Sequence, residues 1–324
     1  MAATFDFAQA AQAVADVARR TPLLRDDALS ERVGRPVWLK AECLQITGSF
    51  KLRGAAAKLS ALDGDERRRG VVACSSGNHG RAISYVAERL EIPATVYVPE
   101  WVDPVKLEGI RARGADAVVT GATFDESEAA AFIFATESGR TYVSAYDDPW
   151  VIAGQGTIAM EVVDQLGETP AAVLAPLSGG GLIGGIAAAL HELGGPRHCR
   201  SVAVSAEAAA VMLASVRAGE PVELPEQETL ASALAGGIGL DNRHSFQLIR
   251  DRIAEHVTVS EAQIGEAMRY CVSSLRLVVE GGGAVAIAAL LSDAWGPPPD
   301  EDGPVVVVLS GGNVAASALA SVLS

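Results

Sequence analysis

Short β-branched runs alternate with alanine-rich stretches along most of this chain, and that alternation restricts its fold more than any other feature. The runs at residues 71–74, 94–98, 117–120, 142–145, 172–176, 201–205 and 304–309 read as strands. Helical patterns lie between them at 80–90, 104–113, 125–138, 151–166 and 182–193. This is the signature of an α/β protein with parallel sheets covered by helices on both faces. At 324 residues the chain is long enough for two cores. Four strand–helix units point to a smaller domain over residues 69–147, with 1–68 and 148–324 forming a larger one. Ser260 followed by Gln263 reads as a capping box that opens a helix running to about Leu275.

Composition narrows the classes of function. Hydrophobic residues are 49% and charged residues 20%, which is a folding chain and not a disordered one. Forty acidic against 26 basic residues give a net charge of −14, which argues against a nucleic-acid surface and against anionic membranes. No apolar run reaches the roughly 18 residues needed to span a bilayer, and the first twenty residues lack the basic-then-apolar order of a signal peptide. A cytoplasmic protein is expected. Cys43, Cys74, Cys199 and Cys271 show no C-x-x-C spacing, so they read as reduced packing thiols and not as a zinc site or a disulfide framework.

Glycine marks the places where backbone must approach something. Leu177 and Ser178 are followed by Gly179, Gly180, Gly181 and Leu182, a turn between an apolar strand and an alanine-rich helix. Side-chain-free amides at a helix N-terminus suit an anion, above all a phosphate. The same stretch fits the dinucleotide pattern, because Gly179, Gly181 and Gly184 have the right spacing and Glu207 lies downstream. A second strand ends in Ser310-Gly311-Gly312-Asn313, where the Ser310 hydroxyl is placed either to cap a helix or to meet a ligand atom.

Two polar clusters complete the candidates. Lys51 stands between Phe50 and Leu52 at the start of a helical pattern. Such a lysine is either solvent-exposed or, if held in an apolar site, a former of Schiff bases with aldehydes. Ser75-Ser76-Gly77-Asn78-His79 joins a strand to a helix and concentrates hydroxyls, an amide and an imidazole where backbone N–H groups are free to hold a carboxylate. One serine as an ordinary N-cap is the plainer reading of that turn. His191, His198, His244 and His256 read as surface or packing residues.

Taken in order, these four motifs resemble those of fold-type II pyridoxal-phosphate enzymes, in the serine/threonine dehydratase and serine racemase family, over nearly the whole chain. Residues 148–157 and 278–284 support the likeness. Residues 77–82 and 236–243 look most like the hydroxyectoine-utilisation dehydratases. The resemblance implies a tryptophan synthase β-like fold of two open-sheet domains, pyridoxal 5'-phosphate as cofactor, a small amino-acid substrate and a homodimer. It implies that Lys51 holds the cofactor and moves the Cα proton, and that Phe50 packs on the ring. Asn78 would bond the 3′ oxygen, residues 179–182 the phosphate and Ser310 the ring nitrogen. Ser75, Ser76, Asn78 and His79 would bind the substrate carboxylate, with Ser76 retained where racemases keep their second base.

The sequence departs from the family in two places. Leu213 stands where racemases carry the last carboxylate of a cation site begun by Glu207 and Val211, so no complete metal site is expected. Ala233 replaces a glycine beside the substrate. The expected activity is elimination of water and ammonia from a β-hydroxy amino acid to give a 2-oxo acid. A racemase of the same fold is the alternative, an NAD-dependent oxidoreductase a distant one, and a non-catalytic binding protein the least favoured. With the family-like portion running to the last strand and helix, no isoleucine-responsive regulatory domain is expected.

Overall fold

The computed structural model describes residues 4–75, 77–102, 104–194, 199–253, 255–298 and 302–324. Among the described residues, ten strands form two sheets. β1 (Leu23–Asp26), β2 (Val37–Lys40), β7 (Ala172–Pro176), β8 (Arg200–Ala206), β9 (Glu255–Val259) and β10 (Val305–Val308) form a six-stranded sheet in the order β1-β2-β10-β7-β8-β9. β3 (Val71–Cys74), β4 (Ala94–Val98), β5 (Asp116–Val119) and β6 (Thr141–Tyr142) form a four-stranded parallel sheet in the order β5-β4-β3-β6. The large sheet is parallel except for β1, which runs antiparallel to β2 with Leu23 opposite Lys40.

The four valines of β10 show why these strands sit at the centre. Strands covered on both faces read as unbroken apolar runs. Val305 and Val307 pack in the core that includes the wholly apolar Gly281–Leu291 helix. Val306 and Val308 point the other way, into the core containing Ile183 and Ile186. In the small sheet Val71, Ala73, Val96 and Val98 meet Leu52, Ile83 and Val86, while Val72, Cys74 and Tyr97 meet Ala131 and Ala135.

Several expected boundaries shift. The strand expected at 142–145 is Thr141–Tyr142, because the next carbonyls serve the site described below. The capping box at Ser260 and Gln263 is present, but the α-helix ends at Tyr270 and continues as a π-helical turn, Cys271–Leu275. β1, β2 and β9 are additions to the strands read from sequence. Part of the proline-rich loop before the last strand, residues 299–301, lies outside the described residues, as does His198. Cys43, Cys74 and Cys271 are buried free thiols, and burial pushes the pKa of each up to about 12.

A buried ion cluster locks the helix Lys51–Ser60 to its surroundings. Arg53 is fully buried. Its guanidinium donates to both carboxylate oxygens of Glu42 (2.8 and 2.8 Å) and to both of Glu161 (2.7 and 2.9 Å). Lys40, equally buried, donates to Glu161 at 2.6 Å, to Gln165 at 2.9 Å and to the carbonyl of Thr21 at 2.9 Å. The helices Lys51–Ser60 and Pro149–Leu166 can cross this closely because glycines meet. A Cβ on Gly154 would lie 2.5 Å from the Arg53 carbonyl oxygen. Two cations and two carboxylates balance one another inside the protein. Removing one partner strands a charge, so Arg53→Met should cost about 3–5 kcal/mol, a large part of a typical folding free energy. The urea midpoint at unchanged slope measures it. A loss under about 1 kcal/mol would show that the cluster is solvated in the folded protein.

Candidate active site

The turn that delivers Lys51 is laid against the end of β10. Phe50 N–H donates to the Ser310 carbonyl at 3.0 Å, Gly312 N–H to the Gly48 carbonyl at 2.9 Å, and Ser49 bridges Gly311. Lys51 thus enters its helix facing a cavity and is only partly exposed, unlike the solvent-facing lysine that helix-start position alone suggests. Its Nζ donates to the Ala145 carbonyl at 2.8 Å and stands 5.1 Å from the centre of the Phe50 ring. Burial disfavours the ammonium form and pushes its pKa down to about 8, against the opposing pull of Glu280.

The polar turn after β3 comes from the other sheet. Gly77, not a serine, is the cap of the helix Asn78–Leu90, and the Ser75 hydroxyl accepts from Gly77 N–H at 3.1 Å. Ser76 lies outside the described residues. The Asn78 amide donates to Glu280 at 2.6 Å and accepts from Asn313 at 2.7 Å. Asn313 also reaches the Thr47 carbonyl at 2.8 Å and accepts from Arg81 at 2.9 Å, joining both sheets through one side chain. His79 is buried with Nε2 at 3.0 Å from the Val143 carbonyl, which requires a proton on that nitrogen. Burial first, then the charge of Lys51, pushes its pKa down to about 3, so the ring is neutral at physiological pH.

After β7 the chain turns at Gly180, with φ of +86°, into the helix Gly181–Leu193. Gly180 has no side chain to cap that helix, which leaves its first amides available for an anion. Tyr146 packs on Gly179, where a Cβ would meet its ring at 2.2 Å.

All these pieces meet. Phe50, Lys51, Ser75, Asn78, His79, residues 179–182 and Ser310 line one cavity of about 1030 Å³, at the carboxyl ends of β3, β7 and β10. Glu207, needed for the dinucleotide reading, is exposed and is not on its wall. Leu213 is buried, and among the described residues no three His, Cys, Asp or Glu gather as a metal site. The arrangement offers one amine with a lowered pKa, uncapped amides at a helix N-terminus, a hydroxyl and a polar turn.

Sequence reasoning misses the residues that hold these groups. Glu280 stands alone before three glycines, and only its acidity at the mouth of an apolar helix hints at a role. Residues 145–148 act together: Ala145 holds Lys51, Tyr146 packs on Gly179, and Asp148 caps the helix Pro149–Leu166 while pairing with Lys58 at 2.7 Å. Asp147 accepts from the amides of Arg243, His244 and Ser245, each at 2.8 Å. It thereby supplies the cap that His244 does not give to the helix Ser245–Arg252.

The model of the pyridoxal-phosphate dependent enzyme family matches residues 14–311. Over 274 residues the chain is 40% identical to an L-threonine ammonia-lyase of Geobacter sulfurreducens, covering 85% of this chain and 67% of that one. It superposes on the structure of maize serine racemase with a TM-score of 0.89 at 30% identity, covering 98% and 97% of the two chains. With the processed form of threonine deaminase isoform 2 from Solanum lycopersicum the TM-score is 0.87 at 32% identity, covering 98% and 91%.

Asp147→Ala removes three charge-assisted hydrogen bonds at once. The amides of residues 243–245 should then exchange with solvent at least about tenfold faster, each such bond carrying roughly 1.5–3 kcal/mol. Unchanged protection would mean that the helix end is held by other contacts.

Proposed function

We infer that this chain, which belongs to the pyridoxal-phosphate dependent enzyme family, is an ammonia-lyase that releases a 2-oxo acid and ammonia from a β-hydroxy amino acid. The observation that carries this reading is Lys51: an amine near neutrality, in a cavity shared with a glycine-capped helix N-terminus and a strand-end hydroxyl.

The residues present fit pyridoxal 5'-phosphate. The uncapped amides at residues 180–182 and the helix dipole suit its phosphate, the Lys51 amine its aldehyde, the Phe50 ring its face, the Asn78 amide its 3′ oxygen and the Ser310 hydroxyl its ring nitrogen. Bound there, it supplies an electron sink for the charge left at Cα when the proton is removed. With the cofactor in place, Lys51 Nζ would be the base for that proton, and the Ser310 hydroxyl, carrying no charge, would keep the sink mild, which suits loss of a β-hydroxyl. Ser75 and residues 77–79 would orient the substrate carboxylate through the amides of their helix N-terminus, His79 by its main chain, since its one ring proton is held by the Val143 carbonyl. Asn313 and Glu280 hold Asn78 in place. Water lost at Cβ is regained when the enamine product hydrolyses to 2-oxo acid and ammonia.

Serine and threonine are the first substrates to consider. The finer reading, a hydroxyectoine-derived amino acid, is supported by residues 77–82 and 236–243, of which Gly77, Asn78, His79 and Gly237 line the cavity. A homodimer is proposed by analogy with the family. Racemisation is the second reading, favoured by the likeness to maize serine racemase and by Ser76 as candidate second base.

Incubating the cofactor-loaded protein with serine, threonine, phenylserine and hydroxyectoine-derived amino acids should release 2-oxo acid and ammonia in equal amounts from at least one of them. Lys51→Ala should lower that rate by about 100- to 10,000-fold. Enantiomer exchange without ammonia, abolished by Ser76→Ala, would replace the lyase with a racemase.

A further inference from the structure

Beyond the groups assigned above, the cavity has a wall whose charge is one-sided. Residues 226–230 form its outer side, without regular secondary structure, and bring Glu226 and Glu228 to the mouth. This wall is built, not loose. Glu261 accepts from the Thr229 hydroxyl at 2.6 Å and from Leu230 N–H at 2.7 Å, and the Thr229 hydroxyl accepts in turn from Ala231 N–H at 3.0 Å. The Leu230 carbonyl rests so close to Gly281 that a Cβ there would come within 2.1 Å of it.

Against four lining carboxylates, Glu226, Glu228, Glu261 and Glu280, the described lining side chains include one cation, Lys51. That cation is committed to the chemistry. His79 is buried, its Nε2 proton given to Val143, and carries no charge to offer. The α-carboxylate of a substrate would have a receptor in Ser75 and the amides of residues 77–79, but among the described lining residues a second carboxylate would have none. It would instead face like charge in a concave space, whose low-dielectric walls focus the field of the carboxylates.

We propose that the wall at residues 226–230 is a charge filter: Glu226 and Glu228 admit β-hydroxy amino acids with neutral or cationic side chains and refuse those with a second carboxylate. The carboxylates act by exclusion and bind nothing of their own. The proposal rests on the lyase reading, because it assumes that an α-amino acid occupies this cavity. Loss of the filter and loss of the lyase reading are separable in one set of measurements.

The test uses calorimetric binding to the cofactor-loaded protein of three amino acids that lack a β-hydroxyl: 2-aminobutanoate, 2,4-diaminobutanoate and aspartate. Aspartate should bind at least about tenfold more weakly than 2-aminobutanoate, and 2,4-diaminobutanoate at least as well as it. Added salt should shrink the aspartate gap, since the mouth is open to solvent. In the double variant Glu226→Gln with Glu228→Gln the gap should fall at least about threefold, with circular dichroism showing the fold intact. Aspartate binding as tightly as 2-aminobutanoate overturns the proposal, and so does a gap that the double variant leaves unchanged. No binding of any of the three, together with no 2-oxo acid from any β-hydroxy amino acid, overturns the lyase reading and the filter with it.

Discussion

Arg53 carries a charge buried out of reach of solvent, and its five N–H groups find Glu42, Glu161 and Thr157 instead. Those partners come from the turn after β2 and from the helix Pro149–Leu166, and Lys40 at the end of β2 shares Glu161. Two residues before Arg53 on the same helix stands Lys51. The direction in which the amine points is therefore set by a cluster that would lose its compensation if the helix turned or slid. A buried ion pair of this kind is weak evidence for stability and strong evidence for register, because misplacement leaves charges unpaired.

From that fixed point the site closes by contacts between the ends of strands. Asn313 after β10 reaches back to Thr47 in the large-sheet layer and across to Asn78 and Arg81 on the helix that follows β3. Residues 145–148, where the chain leaves the small sheet, hold Lys51, the glycine turn and the helix at 245. Most of these contacts engage a main-chain group, and Tyr146 packs directly on Gly179, so glycine lets the wall close tightly.

Much of this is legible in the sequence. β3, β4 and β7 can be read residue for residue, since a strand buried on both faces is an apolar run cut off by a turn. The motif residues converge as their order suggests, because parallel sheets gather their loops at one end. What is not legible depends on partners far along the chain. β2 ends in Lys40, which looks like a surface residue until Glu161, 121 positions later, is seen beside it. β6 stops at Tyr142 because the carbonyls of Val143 and Ala145 turn to His79 and Lys51, a use that strand propensity cannot foresee. β9, with Glu255, His256 and Thr258 on a sheet edge, lacks the apolar run that marks its neighbours. Asp147, one of two adjacent aspartates, and Glu280, at the head of a glycine run, are given their roles only by what folds against them.

Burial makes Lys51 the reactive amine of this protein. Reduction with borohydride after loading with pyridoxal 5'-phosphate at a series of pH values, followed by peptide mapping, tests it directly. A single modified residue, Lys51, is expected. The initial labelling rate should rise through a midpoint near pH 8, because the neutral amine is the nucleophile and its pKa is lowered from that of an ordinary lysine to about 8. Modification of other lysines in preference to Lys51, or a midpoint at the value of an exposed lysine, would contradict it.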